Sequence, residues 1–328
     1  MKRLTFVRGL LALAATSLFL TSGCCTCTAP ASRPKIGIAW TDQTYDEFNP
    51  ILREVILEAG GEPVFLAPVR SWGIPYENGL VASAATDKND FLKGEYAEKV
   101  KGTGYLRSDI QQVLGSCKAV VLPGGEDISP TLLKTPQPWH GIEDEKDYNP
   151  TRDVSDYLLA AYCMDRKVPV LGLCRGMQML GVVSGATVIQ DVETWVKAEG
   201  KTYDFKHREP SGTPDRDYAS HDVVIVPGTK LSAIVGPAKD REAKCPSWHH
   251  QVLASVEDTP LRISAYEPTC GLTVIEGVER TDCDFAVGVQ YHPEAAHDKW
   301  VTGAANSSRY MSRASALRYF KALVEACR

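Results

Sequence analysis

The chain has 328 residues and a formal net charge of −5, with 36 lysine and arginine residues against 41 aspartate and glutamate residues. This mild acidic balance, without a basic stripe, gives no support for nucleic-acid binding, so we expect no nucleic-acid partner. Hydrophobic residues make up 44% and charged residues 23% of the sequence, as in an ordinary globular chain. Without the N-terminal segment, roughly 300 residues remain, which is enough for one large α/β domain.

The N-terminus has the pattern of an export signal. A positively charged start precedes an apolar stretch at 9–20, which is too short for a comfortable membrane span. Residues 1–23 resemble a bacterial lipoprotein signal, with Cys24 as the lipidated first residue and 24–34 as a flexible tether. Ordinary signal-peptidase cleavage stays open, since Thr21 stands where an aliphatic residue is usual. We expect a protein exported to the cell envelope or periplasm that contacts the membrane through its lipid anchor only.

Residues 35–328 are predicted to form a single domain in which early strands alternate with helices, a pattern that favours a parallel sheet. Later strands with hairpin-like spacing predict an antiparallel extension. The predicted strands lie near 35–40, 63–68, 119–122, 168–173, 221–226, 261–266, 272–277 and 285–289. The predicted helices lie near 46–59, 108–114, 151–164 and 309–327.

The strand that begins at Ala119 ends in a turn that contains Gly124 and Gly125. Glycines let the backbone approach a ligand closely and direct N–H groups towards it. Such N–H groups, with that of Arg175, could form an oxyanion hole, in which one donor is typically worth roughly 3–4 kcal/mol in the transition state. A Pro-Gly-Gly turn alone is weak support, and its value here comes from its position after an apolar strand.

The stretch Val168–Gln178 predicts a buried strand that runs directly into a helix, with Cys174 at the corner. Gly172 and Gly176 flank the cysteine in a G-x-C-x-G pattern, the thiol version of a nucleophile elbow, whose tight turn requires small neighbours. The turn places the sulfur at a helix N-terminus, where free N–H groups and the helix dipole favour a thiolate. We therefore predict that Cys174 is a nucleophile, with a buried structural cysteine as the alternative.

A base for this thiol follows the buried strand predicted at Phe285–Val289. His292 and Glu294 are two residues apart, so in extended geometry they point the same way and the carboxylate would orient the imidazole. They would meet Cys174 at the carboxyl edge of the sheet, where ligands bind in open α/β folds. Imidazole, with a pKa near ~6.5, can exchange a proton with a thiol and then with a leaving amine. An ordinary surface turn is the alternative.

These residues and motifs are similar to those of a known family. The matching features are Cys174, His292 and Glu294 in chain order, L-P-G-G-x-D-x-x-P at 122–130 and G-x-C-R-G-x-Q at 172–178. They resemble the class I glutamine amidotransferase-like fold and, within it, the gamma-glutamyl-gamma-aminobutyrate hydrolase family of gamma-glutamyl peptidases. The resemblance runs roughly from Lys35 to the last helix. It implies a three-layer α/β sandwich with a mostly parallel central sheet, an antiparallel extension and a nucleophile elbow.

The resemblance also implies a role for individual residues. These are Cys174 as nucleophile, His292 as base, Glu294 as its orienting partner, Gly125 and Arg175 as oxyanion donors through their N–H groups, and Gln178 and His250 as neighbours of the gamma-glutamyl moiety. The implied substrate is a small gamma-glutamyl compound, with no cofactor. The sequence does not specify an oligomeric state.

Several of these residues have other interpretations. Gln178 could instead face solvent, and because neighbours in an extended segment point opposite ways, at most one of His249 and His250 is expected to line the site. A metal site that combines them with His292 is not expected, because no ligand spacing surrounds them. Arg152–Asp153 is interpreted as a helix start, with the aspartate near the positive end of the helix dipole.

Three segments depart from the family pattern, and one of them is Thr269-Cys270-Gly271, where the family usually has Asp-Gly. Residues 69–104 form a long, polar, partly aromatic insertion where relatives are usually short, and long loops are functional or disordered. The segment has two interpretations: a lid that covers the mouth of the pocket, or a solvated insertion remote from the site. Residues 245–248 read Cys-Pro-Ser-Trp where relatives tend to have Asn-Ser. We therefore expect the chemistry to transfer from the family better than the substrate identity.

Export would also permit disulfide bonds. Outside the anchor region and Cys174, the candidates are Cys117, Cys163, Cys245, Cys270, Cys283 and Cys327. Their pairing is not specified by the sequence, and several could be small core residues.

The resulting prediction is a cysteine hydrolase that cleaves gamma-glutamyl amide or gamma-linked peptide bonds through a gamma-glutamyl thioester on Cys174. Two alternatives are a glutaminase-type amidotransferase, which feeds ammonia to a synthase, and a non-catalytic surface binding protein on the same fold. An exported, tethered chain has no evident synthase to feed, and the intact triad argues against the binding protein.

Overall fold

The structure is a computed structural model that describes residues 32–42, 48–210, 213 and 216–328. Residues Arg33–Arg328 form one compact unit. The predicted signal at 1–23, the proposed lipid-anchor Cys24 and residues 25–31 of the tether lie outside the described residues. Among the helices that the structure describes, none has the length and apolarity needed to span a bilayer.

Thirteen strands occur in the described residues. They are β1 (Lys35–Ile38), β2 (Glu62–Phe65), β3 (Tyr76–Glu77), β4 (Leu80–Val81), β5 (Ala119–Leu122), β6 (Val170–Leu173), β7 (Thr187–Ile189), β8 (Ala219–Ile225), β9 (Arg241–Ser247), β10 (Val252–Ser255), β11 (Leu261–Thr269), β12 (Leu272–Arg280) and β13 (Ala286–Val289). The central nine-stranded sheet has the order β2-β1-β5-β6-β13-β12-β11-β8-β9, and β7–β10 and β3–β4 form separate two-stranded sheets.

The central sheet has a parallel part and an antiparallel part. From β2 to β13 in the sheet order, each strand is parallel to its neighbour. From β13 through β12, β11, β8 and β9, each pairing is antiparallel. The predicted α/β class, with a mostly parallel sheet and an antiparallel extension, is confirmed.

Nine α-helices occur within the same described ranges. They are α1 (Phe48–Ala59), α2 (Gly94–Val100), α3 (Ile110–Leu114), α4 (Pro150–Arg166), α5 (Arg175–Ser184), α6 (Val192–Ala198), α7 (Lys230–Val235), α8 (Pro293–Val301) and α9 (Arg313–Glu325). Short 3₁₀ helices lie at Ser83–Ala85, Gly104–Arg107, Pro130–Leu132, Glu143–Glu145 and Ser307–Arg309.

Helices cover both faces of the sheet, as the side chains of β5 show. Val120 and Leu122 belong to a hydrophobic cluster that contains residues of α4 and α5. Ala119 and Val121 belong to another cluster, which contains residues of α1 and α9. Since successive side chains of a strand point to opposite faces, the sheet lies between two helical layers. All four residues of β5 are fully buried, which explains their continuous apolar run.

Local signals explain where α4 begins and ends. The Asn149 side chain accepts a hydrogen bond from the backbone N–H of Arg152 at 3.1 Å, and Pro150 occupies the first helical turn. The helix ends at Lys167, which adopts a left-handed conformation with φ +58°. α4 therefore enters the core with its first turn next to the turn that follows β5.

The seven cysteines in the described part of the chain are all free thiols. They include the six that the sequence analysis considered for disulfide bonds, together with Cys174. Cys163, Cys245 and Cys283 are buried, in keeping with the alternative that several cysteines are small core residues.

Candidate active site

Cys174 lies at the corner between β6 and α5, where it is the N-cap residue of the helix. Its φ is +48°, a conformation that is strained for a residue with a side chain. A Cβ on Gly172 would lie 2.6 Å from the backbone of Gly176, and a Cβ on Gly176 would overlap the carbonyl oxygen of Leu122. The strand–turn–helix geometry of the elbow is confirmed, and both flanking glycines are required by close backbone contacts.

The sulfur of Cys174 is held by two polar contacts. Nε2 of Gln290 donates a hydrogen bond to Sγ at 3.4 Å, and the carbonyl oxygen of Trp248 lies 3.8 Å from Sγ. Cys174 is 5% exposed and lines a cavity of about 350 Å³. The sulfur is therefore not sealed in hydrocarbon, because it borders both polar groups and a cleft.

His292 and Glu294 lie at the start of α8, and not in an extended segment as the sequence analysis expected. That expectation was wrong because Pro293 occupies the first helical turn, where its fixed φ and missing N–H favour helix initiation. His292 is the N-cap residue, and its Nδ1 lies 2.7 Å from Oε1 of Glu294. The predicted partnership of imidazole and carboxylate is present, although a helical turn creates it.

His292 and Cys174 both lie next to Gly124, close to the same point. A Cβ on Gly124 would lie 2.7 Å from Cε1 of His292 and 3.4 Å from Cβ of Cys174. Nε2 of His292 makes no hydrogen bond to any residue that the structure describes. Catalytic hydrogen bonds are often long before substrate binds. The unpaired nitrogen is therefore available to exchange a proton with a nearby group.

The environment of His292 favours its charged form. Burial acts to lower the pKa of the imidazole, but the negative charges of Glu294 and of an ionised Cys174 outweigh burial and raise this pKa to about 10. An imidazolium formed by accepting a proton from the thiol would consequently be stable at neutral pH.

The turn after β5 is held by the side chain of Arg152. The buried guanidinium donates to the carbonyl oxygens of Pro123 at 3.0 Å and of Gly124 at 2.6 Å, and pairs with Glu126. Gly125 has φ +139°, and a Cβ there would overlap the guanidinium. The interpretation of Arg152 as a helix start was incomplete, because the side chain also fixes the turn that carries a predicted oxyanion donor.

The side chain of Arg175 is occupied by ion pairs. Its guanidinium bonds to Asp153 at 2.7 Å and also to Asp156, and all three side chains are buried. The backbone N–H of Arg175 is the first of α5, and the first N–H groups of a helix have no partner within it. The predicted oxyanion role can thus be filled by the main chain only.

Gln178 points into the protein and not towards solvent. Its Nε2 donates to the carbonyl oxygen of Gln251 at 2.8 Å and to Oε1 of Gln290 at 3.2 Å. The side chain also lines the cavity that contains Cys174. Because Gln178 holds the oxygen of the Gln290 amide, the amide nitrogen of Gln290 is directed at the sulfur.

His250 is held between two carboxylates. Its Nε2 lies 3.0 Å from Oδ1 of Asp127, and its Nδ1 lies 3.4 Å from Oδ2 of Asp191. Burial acts to lower the pKa of His250, but the hydrogen bonds to these two carboxylates outweigh it and raise this pKa to about 9. His249 turns elsewhere and places its Nε2 3.5 Å from Oε1 of Glu276. The two neighbours have different partners, but both line the cavity that contains Cys174, so the expectation that at most one of them lines the site was wrong.

Two adjoining cavities meet at the candidate site. The first, here called the thiol cavity, has the volume of about 350 Å³ given above and is lined by Cys174, Gln178, His250, Asp127, Glu126, Glu145, Lys146, Arg208, His249 and Gln251. The second, here called the imidazole cavity, has a volume of about 460 Å³ and is lined by His292, Ile51, Asp217, Tyr218, Ala295, Asp298 and Lys299. Both are also lined by Gly125, Asp147, Arg216 and Trp248. Cys174 and His292 therefore line adjoining cavities that have these four residues in common.

Residues 69–104 pack against α4 and do not form a lid over these cavities. Leu92 and Val100 are fully buried in the cluster that contains α4 residues, and the backbone N–H of Val81 donates to Oγ1 of Thr151 at 2.8 Å. No residue of this segment, all of which the structure describes, lines the thiol or the imidazole cavity. The lid hypothesis fails because the apolar residues of the segment are used in the core.

A family model, Peptidase C26, matches residues 99–294, a range that contains Cys174, His292 and Glu294. The chain belongs to the Peptidase C26 family. A gamma-glutamyl-gamma-aminobutyrate hydrolase of Escherichia coli O157:H7 is 31% identical to this chain over 221 residues, which cover 66% of this chain and 75% of that protein. Protein NtpR of Enterococcus hirae is 34% identical over 179 residues, which cover 54% of this chain and 67% of that protein.

A solved structure shares the fold of this chain. The glutaminase domain of CTPS from Trypanosoma brucei, determined with bound acivicin, has a TM-score of 0.50 at 14% identity, with 90% of this chain and 93% of that chain covered. At this identity the likeness concerns the fold alone. The family and its hydrolase-named relatives support a hydrolase, with a gamma-glutamyl amide hydrolase or amidotransferase-like function.

Two residues of the site were not predicted from the sequence. Gln290 lies in the same stretch as His292, and a separation of two residues could have suggested a shared direction. Trp248 was noted only as a departure from the family pattern, yet its carbonyl oxygen lies near Sγ of Cys174 and the residue lines both cavities.

Proposed function

We propose that the protein hydrolyses gamma-glutamyl amide or gamma-linked peptide bonds through a gamma-glutamyl thioester on Cys174. The observation that carries this proposal is that Cys174 and His292 both lie beside Gly124, with Glu294 bonded to the imidazole. A strained elbow supplies the nucleophile, and the buried pair of His292 and Glu294 supplies the base and its orienting partner.

The first step forms the thioester. Nε2 of His292 takes the thiol proton, and the sulfur of Cys174 attacks the gamma-carbonyl carbon of the substrate. The electron pair of the C=O double bond moves to oxygen, which accepts hydrogen bonds from the backbone N–H groups of Gly125 and Arg175. The tetrahedral intermediate then collapses, the C–N bond breaks, and the leaving amine takes the proton from His292.

The second step releases the acyl group. Nε2 of His292 takes a proton from water as the water oxygen attacks the thioester carbon, the C–S bond breaks, and His292 returns the proton to the sulfur. The negative charge of an ionised Cys174 is one reason why the pKa of His292 is raised. Acylation removes that charge, so this pKa falls and the imidazole becomes available as a base for water.

The two cavities suit the two halves of such a substrate. His292 must protonate the leaving amine, and it lines the imidazole cavity, so we assign the amine side to that cavity. The acyl side then occupies the thiol cavity beside Cys174. That cavity contains both acidic and basic groups, among them Asp127 and Arg208, which complement the α-amino and α-carboxylate groups of a glutamyl moiety.

Intact-protein mass spectrometry tests the acyl group and the mechanism together. The full chain is exposed to a panel of gamma-glutamyl compounds, quenched in acid and weighed. We expect a covalent glutamyl adduct on the wild type that is absent from Cys174→Ala. Cys270→Ala is the matched control, because it removes a half-buried thiol outside both cavities, and it is expected to keep the adduct. An adduct retained by Cys174→Ala, or none on the folded, reduced wild type, would contradict the proposal.

Product analysis separates hydrolysis from amidotransfer. We expect gamma-glutamyl peptides to release free glutamate and the intact amine, faster than glutamine releases ammonia. Faster release of ammonia from glutamine, and none from the peptides, would favour the glutaminase-type amidotransferase. Stoichiometric binding of the panel without any product would favour the non-catalytic binding protein.

We further propose export with lipid anchoring through Cys24, supported by the sequence pattern of residues 1–23. Cell fractionation tests it. The wild type is expected in the membrane fraction and Cys24→Ala in the fraction without membranes, whereas an unchanged distribution would contradict the anchor.

A further inference from the structure

Three histidines and one glutamate converge beneath the wall of the thiol cavity. They come from separate parts of the fold: His207 from the segment between α6 and β8, His221 from β8, His249 from the segment between β9 and β10, and Glu276 from β12. Each is at least nine-tenths buried, with exposed fractions of 0%, 7%, 4% and 0% respectively. A buried cluster of this kind requires either protons or a cation to offset its lone pairs.

The converging atoms lack hydrogen bonds. Nδ1 of His207, Nε2 of His221, Nε2 of His249 and both carboxylate oxygens of Glu276 make none to any residue that the structure describes. Their separations from Oε1 of Glu276 are 3.2 Å, 3.9 Å and 3.5 Å for the three nitrogens in that order. Zn²⁺ with ligand bonds near 2.0–2.1 Å has tetrahedral ligand–ligand edges of about 3.3 Å.

The opposite ring nitrogens determine the tautomers of two of the histidines. Nδ1 of His221 bonds to the carbonyl oxygen of Asp222 at 3.3 Å, and Nδ1 of His249 bonds to that of Gln251 at 3.1 Å. A carbonyl oxygen only accepts, so both Nδ1 atoms carry the hydrogen and, in the neutral ring, both Nε2 atoms present lone pairs.

The third histidine follows the same rule through a hydroxyl. Oγ1 of Thr269 donates its hydrogen to Glu267 and lies 2.7 Å from Nε2 of His207. The hydroxyl oxygen therefore accepts from Nε2, which leaves a lone pair on Nδ1 of neutral His207. Histidines that bind metals typically donate their other ring N–H to a carbonyl or a similar acceptor, as all three do here.

We propose that His207 Nδ1, His221 Nε2, His249 Nε2 and one oxygen of Glu276 bind a Zn²⁺ ion in tetrahedral geometry. Three neutral imidazoles and a carboxylate suit this ion, and four protein ligands in a buried position make the site structural. The four ligands lie far apart along the chain, so no local spacing in the sequence indicates this site, and the metal site weighed from the sequence combined only His249, His250 and His292.

The site would position the residues that border the nucleophile. His249 lies between Trp248, whose carbonyl oxygen is 3.8 Å from Sγ of Cys174, and His250, which lines the thiol cavity. The backbone carbonyl of Glu276 also accepts a hydrogen bond from the N–H of Gln290 at 2.9 Å. An ion held by His249 and Glu276 would thus tie together two segments that contact the sulfur.

Metal analysis of the full chain, without a histidine tag, tests the proposal. Protein from zinc-supplemented medium is dialysed and measured by plasma mass spectrometry. We expect about one Zn²⁺ per chain in the wild type and less than a tenth of that in Glu276→Gln and His221→Gln. His297→Gln is the matched control, because His297 is also buried and bonded to a carboxylate, that of Glu58, away from the cluster. It is expected to keep the ion.

Cobalt substitution keeps the test decisive if a variant fails to fold. Chelator-stripped protein in the Cys174→Ala background is titrated with Co²⁺, and the visible d–d bands of tetrahedral cobalt are expected without a sulfur-to-metal charge-transfer band. Calorimetric titration of the same stripped protein with Zn²⁺ is expected to give one site. The proposal is overturned if neither ion binds the folded protein, or if folded Glu276→Gln binds as tightly as the wild type. In that case the cluster is an imidazolium–carboxylate group held by protons.

Discussion

Nε2 of Gln290 donates a hydrogen bond to Sγ of Cys174 at 3.4 Å, and Nε2 of Gln178 holds the Oε1 atom of the same Gln290 amide at 3.2 Å. The two glutamines form a short chain that ends at the sulfur. An ionised sulfur accepts such a bond more strongly than a thiol does, because charge-assisted hydrogen bonds are the stronger class. Gln290 is therefore placed to position and stabilise the attacking form of Cys174.

Replacing Gln290 by methionine should slow acylation while it preserves the volume of the side chain. A hydrogen bond to a charged group contributes about 1.5–3 kcal/mol, so we expect kcat/KM to fall about 10- to 100-fold, mostly through kcat. The rate of Cys174 alkylation by iodoacetamide should fall as well. Gln111→Met, at an exposed position on α3, is the control. An unchanged alkylation rate in Gln290→Met would show that the hydrogen bond does not act on the sulfur.

Removing the charge of Glu294 should move the alkaline limb of the activity profile to lower pH. The imidazolium of His292 is present below its pKa of about 10 and is lost above it, and the charge of Glu294 is a main reason why this pKa is raised. In Glu294→Gln we expect the limb of kcat/KM to shift down by about one pH unit or more. Asp298→Asn is the control, since Asp298 lines the same cavity without the bond to His292. Equal pH profiles for the wild type and Glu294→Gln would contradict the proposal that Glu294 orients His292 and raises its pKa.

His250 should contribute stability that is lost as pH rises. Its folded-state pKa is raised to about 9, above the ordinary value of 6.5. The contribution is therefore complete below about pH 6.5 and disappears as pH increases through about 9, with an upper limit of about 3 kcal/mol. We expect urea unfolding to show that the free energy of unfolding of the wild type exceeds that of His250→Gln. This difference should be largest near pH 6 and should shrink by pH 10. A gap that stays constant with pH would mean that His250 is neutral in the folded protein.

A methyl group on Gly125 should disturb the turn that carries a proposed oxyanion donor. The φ of +139° and the overlap of a Cβ with the Arg152 guanidinium both disfavour alanine. We expect Gly125→Ala to lower kcat by about 100-fold or more, the typical effect of losing one oxyanion donor. Gly94→Ala is the control, because its added Cβ would have no described atom within 4 Å apart from its chain neighbours and the backbone of its own helix. Full activity in folded Gly125→Ala would exclude the Gly125 N–H from the reaction.

A larger side chain at Ala295 should change substrate preference. Ala295 is 4% exposed and lines the imidazole cavity, which we assign to the leaving amine. Ala295→Leu should reduce kcat/KM for a gamma-glutamyl dipeptide relative to glutamine, whose leaving group is ammonia, by about 10-fold. Ala233→Leu, at an exposed position on α7, controls for the substitution itself. If the ratio of kcat/KM for the dipeptide to kcat/KM for glutamine does not change, the leaving amine occupies another part of the site.

The elbow shows how far local sequence can carry a structural prediction. Close backbone contacts at Gly172 and Gly176 leave a recognisable pattern around Cys174, so the corner was predictable. The geometry of His292 and Glu294 was predicted less well, because the helix-starting preference of Pro293 overrode the expected extended conformation. Their pairing was still correct, since N-cap and first-turn residues are also neighbours in space.

The sequence by itself determined the elements whose signals are local: the buried strands, the glycine-flanked cysteine, the α/β class and the antiparallel extension. Only the tertiary structure decided which distant side chains meet, including Arg152 with the carbonyl of Gly124, Gln290 with Cys174, and the cluster around Glu276. The physical reason is that backbone propensity and apolar periodicity act over a few neighbouring residues. Contacts across the sheet depend instead on strand order and on side-chain direction, which no single segment encodes.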